Sequence, residues 1–458
     1  MTRMKSLFLR PKQAVDMTEG SILRHLITFA IPLLIGNLFQ QLYNTVDTWV
    51  VGNYVSDAAF AAVGTVGPII NMLIGFFLGL SSGAGVVISQ YYGAGQEEQV
   101  RRTVHTAITM TLVLGVLFTF IGVGMTPAML KFMRTDAEVL PESTAYLRIY
   151  FAGVLGLMVY NIGAGILRAV GDSRRPFYFL VVSALLNTGL DLLFVLVFHM
   201  GVEGVALATV IAQGVSALLV FITLMRSSAC IRVELRQLRI HWDMLGKIIK
   251  VGIPAAIQMM ITAFSNVFVQ SYINVFGKAH MAGWTAYSKI DQLLFLPMQS
   301  LALASTTFVG QNLGKNQMAR AKRGITYSFA MAATSTAVLM IPVIVFAPYT
   351  VAFFNKEPAV IEVGTLLLRY ITPFYILCTV NQIYAGALRG AGNSRAPMVI
   401  MLASFVVFRQ IYLFIISRLL PGSFLAVAMG YPAGWLLCST ATFIYFQRTN
   451  LTKTRLVD

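Results

Sequence analysis

Apolar residues in this chain fall into long unbroken runs instead of alternating with polar ones. The runs lie near residues 25–48, 58–83, 104–126, 146–168, 177–199 and 204–226. Six more lie near 247–275, 281–308, 324–347, 365–388, 397–418 and 424–446. Each matches or exceeds the ~20 residues a helix needs to cross the hydrocarbon core at roughly 1.5 Å per residue. Membrane strands are about half that length and alternate in polarity, so a β-barrel does not fit. The pattern predicts an all-α membrane protein of twelve transmembrane helices. Polar stretches frame them: a basic lead-in over 1–24 carrying Arg3, Lys5, Arg10 and Lys12, a stretch over 227–246 with Arg232, Arg236 and Arg239, and a tail over 447–458. The predicted domains are thus an N-terminal six-helix lobe (25–226), a cytoplasmic linker (227–246) and a C-terminal six-helix lobe (247–446).

The two lobes repeat one another. Leu167-Arg-Ala-Val-Gly-Asp-Ser-Arg-Arg-Pro176 returns as Leu388-Arg-Gly-Ala-Gly-Asn-Ser-Arg-Ala-Pro397, with six of ten positions identical. Ala30-Ile-Pro32 matches Gly252-Ile-Pro254, and Gln90, Gly93, Arg102 and Arg148 match Gln311, Gly314, Arg323 and Arg369. Recurrence at nearly half the chain length marks a duplicated architecture. Six spans per half is an even number, so both halves enter the membrane in the same direction as parallel repeats. Two similar bundles facing one another leave a central cleft suited to alternating access.

Composition agrees. Residues are 57% hydrophobic and only 11% charged, against about 25% charged in ordinary soluble chains. The net charge of +16 is not a nucleic-acid footprint, because the basic residues sit in short clusters between apolar runs. With the N-terminus inside, 25 of the 34 basic residues fall on the inner face and seven on the outer. The positive-inside rule then places both termini in the cytoplasm. Cys230, Cys378 and Cys438 show no disulfide or metal spacing. No phosphate loop, metal-ligand cluster or nucleophile motif appears, which argues against an enzyme and against a bound cofactor.

Ionisable residues inside spans are costly and are functional candidates by default. Asp47 lies in the first span, Asp191 in the fifth, Lys289 and Asp291 in the eighth and Arg409 in the eleventh. Asp191 follows Asn187 by four residues, so the two share a helical face. Asp191 lies about 21 Å from the inner end of its helix at roughly 1.5 Å per residue. There Asp47 on the first helix and Thr209 on the sixth could converge with it. The repeat isolates these acids: Asp47 is matched by Val269 or Phe268, and Asp191 by Tyr412. Desolvation disfavours a charged carboxyl and lets it exchange a proton near neutral pH. Ionised, it could hold Na⁺ with Asn187 and Thr209, or attract an organic cation. Asp291 is expected to pair structurally with Arg409 or Lys289. Gln40, Gln41, Asn44, Gln258, Met259 and Asn266 on the first and seventh helices are candidate cleft-lining residues. Ser81-Ser-Gly-Ala-Gly85 reads as close helix packing, and Pro32 and Pro254 as kinks.

With twelve spans in two halves, Ile31-Pro32 through Val46-Asp47 to Gly52, the paired Leu-Arg-x-x-Gly-(Asp/Asn)-Ser-x-x-Pro turns and Asn187-x-x-x-Asp191, the chain resembles the multidrug and toxic compound extrusion (MATE) family over residues 18–446. The resemblance implies a V-shaped pair of bundles in the plasma or inner membrane, monomeric. It implies efflux of small amphipathic, often cationic substrates in exchange for H⁺ or Na⁺. In the bacterial branch similar to this chain, an N-lobe polar network binds the coupling ion; the matching positions are Asp47, Asn187, Asp191, Thr209 and Asn161. Branches with a C-lobe cation site carry acids on the seventh and tenth helices, where this chain has none beyond Glu362. The alternative is a lipid-linked precursor flippase of the same wider superfamily, for which only Lys289 and Arg409 would be available as cavity cations.

Overall fold

A computed structural model of the chain describes residues 15–133, 135–227 and 230–457, without the side chains of Asp57, Ala263, Phe264 and Val267. Most of the expected lead-in, residues 1–14, lies outside the described residues. In the first half, helices run over α1 Ile22–Tyr54, α2 Asp57–Gly93, α3 Glu97–Phe132, α4 Leu140–Ala152, α5 Val154–Ala169, α6 Arg174–Leu192 and α7 Gly201–Met225. The second half contains α8 Trp242–Asn274, α9 Lys278–Gly314, α10 Met318–Val345, α11 Ala347–Phe354, α12 Pro358–Ile371, α13 Tyr375–Gly390, α14 Arg395–Met401, α15 Arg409–Leu419, α16 Phe424–Ala428 and α17 Gly430–Arg448. Among the described residues eleven helices are long and apolar enough to cross a membrane, or twelve when α4 and α5, bent by 47° at Gly153, count as one span. The bend has a packing cause: a Cβ on Gly153 would lie 2.3 Å from Val210 Cγ1. A glycine break at a close helix contact is one of the ordinary origins of a kink.

Helices overrun their apolar runs. The second run ends near residue 83, yet α2 continues through Gln90 and Tyr91 to Gly93. Only the part inside the bilayer has to be apolar, so run length measures the membrane and not the helix. Large side chains such as Val116, Leu117, Phe120 and Ile121 stand exposed along α3. In water such a stripe would signal an interface; on a spanning helix it faces lipid.

Contacts divide the chain into two compact units, residues 15–16 with 31–256, and residues 17–30 with 257–457. In the first unit α2 packs on α5 and α3, and α5 on α7; in the second α9 packs on α13 and α10, and α13 on α17. The pairings repeat, as the duplication requires. The predicted lobe boundaries need correction. The first turns of α1 belong with the second half and α8 up to Ala256 belongs with the first, so each proline-bearing helix changes unit within two residues of Pro32 or Pro254. Gly79 and Gly83 explain the α8 assignment, since their Cα atoms approach the backbone of Ala256 and Gly252 too closely for any side chain. For α1, the Met17 N–H donates to Gln311 Oε1 at 2.9 Å and Lys315 pairs with Glu19 at 2.8 Å, both within the second unit.

The repeated turns pack against the segments that flank the spans, around Val15 in one copy and Thr454 in the other. Gly171 and Gly392 have φ of +86° and +91°, a left-handed conformation that favours glycine. A Cβ there would strike Val15 O in one copy and Thr454 O in the other. Val15 N–H donates to Val170 O at 3.0 Å, and Leu451, Leu456 and Val457 of the tail are buried. Conserved geometry, a turn closing over a strap, accounts for the glycine shared by both copies.

The described residues of the 227–246 stretch, 227 and 230–246, are not a free linker either, but belong to the first unit. Glu234 N–H donates to His105 Nε2 at 3.1 Å, His241 N–H to Thr106 Oγ1 at 3.0 Å, and Arg239 Nε to His241 Nε2 at 2.9 Å. Arg102 pairs with Asp243 at 3.0 Å. His241 therefore docks as a neutral acceptor, and burial together with Arg102 and Arg239 holds its pKa below the ordinary 6.5, against the weaker pull of Asp243. The undocked form binds the proton more readily, so docking is complete above about pH 6.5 and weakens as the pH falls below it. Amide hydrogen exchange over 230–241, corrected for intrinsic rates, is expected to quicken between pH 7.5 and 5.5. Equal protection at both values would contradict this.

Candidate functional site

The fifth span folds as α6, whose i,i+4 spacing sets Asn187 over Asp191. The Asn187 amide donates to Asp191 Oδ2 at 3.1 Å. Asp191 is fully buried, and Asp47 on α1 is 8% exposed. The two carboxyls lie within hydrogen-bonding reach of one another. Oδ1 of each is buried with no donor. Ionised carboxylates only accept, and two unscreened negative charges in an apolar bundle are untenable. The pair is complete only with a shared proton or a bound cation.

Around it the expected residues fall into two groups. Thr209 on α7 donates its hydroxyl to Val205 O at 3.0 Å, which leaves its oxygen as an acceptor within reach of the Tyr146 hydroxyl. Tyr146 is 6% exposed and faces both acids. Asn161 does not touch the carboxyls. Its side-chain amide donates to Leu157 O, its backbone carbonyl accepts from the Ser81 hydroxyl, and it lines a cavity of about 130 Å³ in the same unit. Gln40 lines that cavity too, and hydrogen-bonds Tyr43, whose ring faces Asp47. Gln41 is half-buried and Asn44 exposed; neither lines the cavity. Tyr43, Tyr146 and Gln213, which shares a hydrogen bond with Tyr150, were missed from sequence. The repeat could have found two of them: Tyr146 is matched by Leu367 and Gln213 by Gly434, the same disagreement that isolates the acids.

In the second unit the expected ion pair is absent. Asp291 accepts from the Tyr375 hydroxyl, which lies 3.1 Å from that of Tyr287. Arg409, 2% exposed, donates to Ser265 Oγ at 2.5 Å, Asn266 Oδ1 at 3.4 Å and Phe405 O at 3.4 Å. Its guanidinium also lies 4.6 Å from the Tyr431 ring centre. Lys289 is exposed. Each charge is satisfied locally, by phenols for the acid and by neutral acceptors and π faces for the base. Substitutions at Asp291 and Arg409 are therefore expected to add in thermal stability to within about 0.5 kcal/mol. A coupling larger than that in the D291N/R409Q cycle would restore the ion pair. Gln258 also departs from its expected place: it is 4% exposed, accepting from Arg389 at 3.3 Å and donating to Met401 Sδ at 2.6 Å. Met259 is half-buried, and Asn266 is exposed.

Comparison with known proteins bears on the whole chain. The MatE family profile matches residues 32–193 and again 254–415. The chain is 28% identical to the probable multidrug resistance protein YpnP of Bacillus subtilis, over 95% of this chain and 97% of that one. It is 25% identical to the probable multidrug resistance protein NorM of Thermotoga maritima, over 95% and 94%. It is 22% identical to the multidrug export protein MepA of Staphylococcus aureus, over 90% and 91%. A solved outward-facing multidrug resistance MATE family transporter superposes with a TM-score of 0.90 at 22% identity, covering 96% of this chain and 98% of the other. A duplicated family match aligned with the duplicated turn, on a bundle of spanning helices, leaves one assignment: the chain is a multi-pass membrane transporter of the MATE family, not an enzyme.

Proposed function

We propose that the protein is a secondary antiporter of the plasma membrane, both termini cytoplasmic, which exports small amphipathic compounds and takes up a cation in exchange. The observation that carries this reading is the buried Asp47–Asp191 pair with an unsatisfied oxygen on each side chain. Such a pair takes up one positive charge, and a substrate cation or a conformational change that separates the carboxyls releases it. Binding that depends on conformation is what couples two gradients. Asn187 orients Asp191 through its amide. Thr209 and Tyr146 supply oxygens beside the pair, which a proton does not need and Na⁺ does. The names of the relatives, multidrug resistance and export proteins, support export as the direction. The flippase alternative loses the two cations expected for it in the second half, because Arg409 is already occupied and Lys289 is exposed.

The test is dye efflux from vesicles holding the purified protein, under an imposed pH gradient and separately under an imposed Na⁺ gradient. Efflux driven by one of the two is expected. Equal efflux with neither gradient would end the antiport reading.

A further inference from the structure

The cavity beneath the carboxyl pair ends at the repeated turn, and Arg168 lines that end. Among the described residues its guanidinium has no hydrogen bond and no ion pair; its electrostatic neighbour is the Tyr160 phenol. The nearby acid is spoken for: Asp172 Oδ2 pairs with Arg175 at 2.7 Å, and its Oδ1 accepts the N–H groups of Arg174 and Arg175. Other wall groups have given their protons away. Tyr160 donates to Pro176 O at 3.1 Å, Ser183 to Ala212 O at 2.9 Å and Ser216 to Gln213 O at 2.8 Å. Arg168 thus presents to the cavity a planar cation with five N–H groups, and no wall group is hydrogen-bonded to it; the Asn37 amide lines the same cavity.

The repeat supplies the control. Arg389 is the same residue of the second turn, 9% exposed, and its guanidinium donates to Gln258 Oε1. Taking Pro32 against Pro254, the position of Gln258 in the first half is Gly36, which lines the cavity. One half thus tethers its arginine with an amide. The other carries glycine at that position, against the side chains of Leu180 and Phe177, with Asn37 beside it in the cavity wall.

We propose that Arg168 forms a subsite for a carboxylate: substrates enter the N-terminal cavity with an anionic end on this guanidinium, so the transported class includes zwitterionic and acidic amphiphiles and not cations alone. This deepens the exporter reading and rests on it. The guanidinium fork matches a carboxylate bidentately. Apolar Leu33, Leu157, Phe177 and Leu180 line the same cavity and suit the body of such a molecule. A volume of about 130 Å³ takes the end of a small molecule or a lipid headgroup, but not a lipid tail.

The test uses a matched dye pair differing only at this group: rhodamine 19, a free carboxylic acid, and rhodamine 6G, its ethyl ester. Affinities are measured by fluorescence polarisation on the purified full chain with no gradient, so a protein that binds but does not export keeps this inference and loses the exporter reading. Wild type is expected to favour the acid, and Arg168→Ala to lower the acid-to-ester affinity ratio about tenfold, the scale of a lost charge-assisted hydrogen bond. Arg168→Lys should recover part of the ratio. Gly36→Gln restores the tether of the other half; its Cβ meets only the tips of Leu180 and Phe177 at 3.3 and 3.4 Å, and it should lower the ratio while Arg168 stays in place. A wild type that binds the acid no better than the ester overturns the subsite, as does an unchanged ratio in Arg168→Ala and Gly36→Gln. Titration with phosphatidylglycerol separates the sources of the anion: displacement of the acid dye only at bulk-lipid excess supports a soluble carboxylate, and stoichiometric displacement by the lipid overturns it in favour of a headgroup.

Discussion

Replacing Asp191 by asparagine is expected to cut gradient-driven export by about a hundredfold or more, the scale on which removal of a positioned proton-transfer group is felt. The substitution is close to isosteric. An asparagine oxygen can still accept from the Asn187 amide, which now donates at 3.1 Å, so the fold should persist and the melting temperature stay near that of wild type. What disappears is the ability to gain and lose a charge. Asp47→Asn should do the same, and the double variant should be no worse than either single. That non-additivity is the signature of two groups acting as one site. Multiplying defects would mean separate carriers, and undiminished export by Asp191→Asn at an imposed gradient would sink the carboxyl pair as the coupling element.

The architecture was largely readable because the bilayer imposes it. A span must be apolar for its whole depth, so run lengths count helices directly, and duplication aligned the halves through the turns at Gly171 and Gly392. Boundaries were less readable. Beyond the bilayer a helix may be polar, which is how α2 reaches Gly93 unannounced. No periodicity foretells that α1 and α8 change unit near Pro32 and Pro254; that depends on which helices approach.

The site divides in a similar way. Asp47 and Asp191 stood out because charge in a span is costly and because the second half lacks them. The pairing of Asp291 was misjudged because charge suggested charge. A desolvated carboxylate needs a donor, and the Tyr375 hydroxyl, 84 positions away, supplies one without burying a second ion. Arg409 likewise found Tyr431 and Ser265. Long-range neutral partners leave no mark in a single sequence.

Gly83→Val is expected to be the most damaging single substitution to stability. Glycines at 79 and 83, one helical turn apart on α2, let that helix meet α8 backbone to backbone. A Cβ at Gly83 would stand 2.4 Å from Gly252 Cα, and one at Gly79 would stand 2.3 Å from Ala256 Cα. A clash with a side-chain tip relaxes by rotation; a clash with backbone requires the helices to part. Ser81 and Gly85 belong to the opposite face, where the Ser81 hydroxyl donates to Asn161 O at 2.7 Å and α5 lies close, so α2 cannot simply shift away from α8 without opening a gap on α5. Membrane helices associate through such close packing because lipid offers no hydrophobic drive of its own. The cost should be at least about 3 kcal/mol, the upper range for an overpacked core. For a unit of this size it should lower the melting temperature in detergent by on the order of 5–10 °C. Gly64→Val is the control, since a Cβ there meets nothing within 4 Å on the same helix, and it should melt within a degree or two of wild type. If both variants melt alike, the α2–α8 contact is not what joins the first part of α8 to the N-terminal unit.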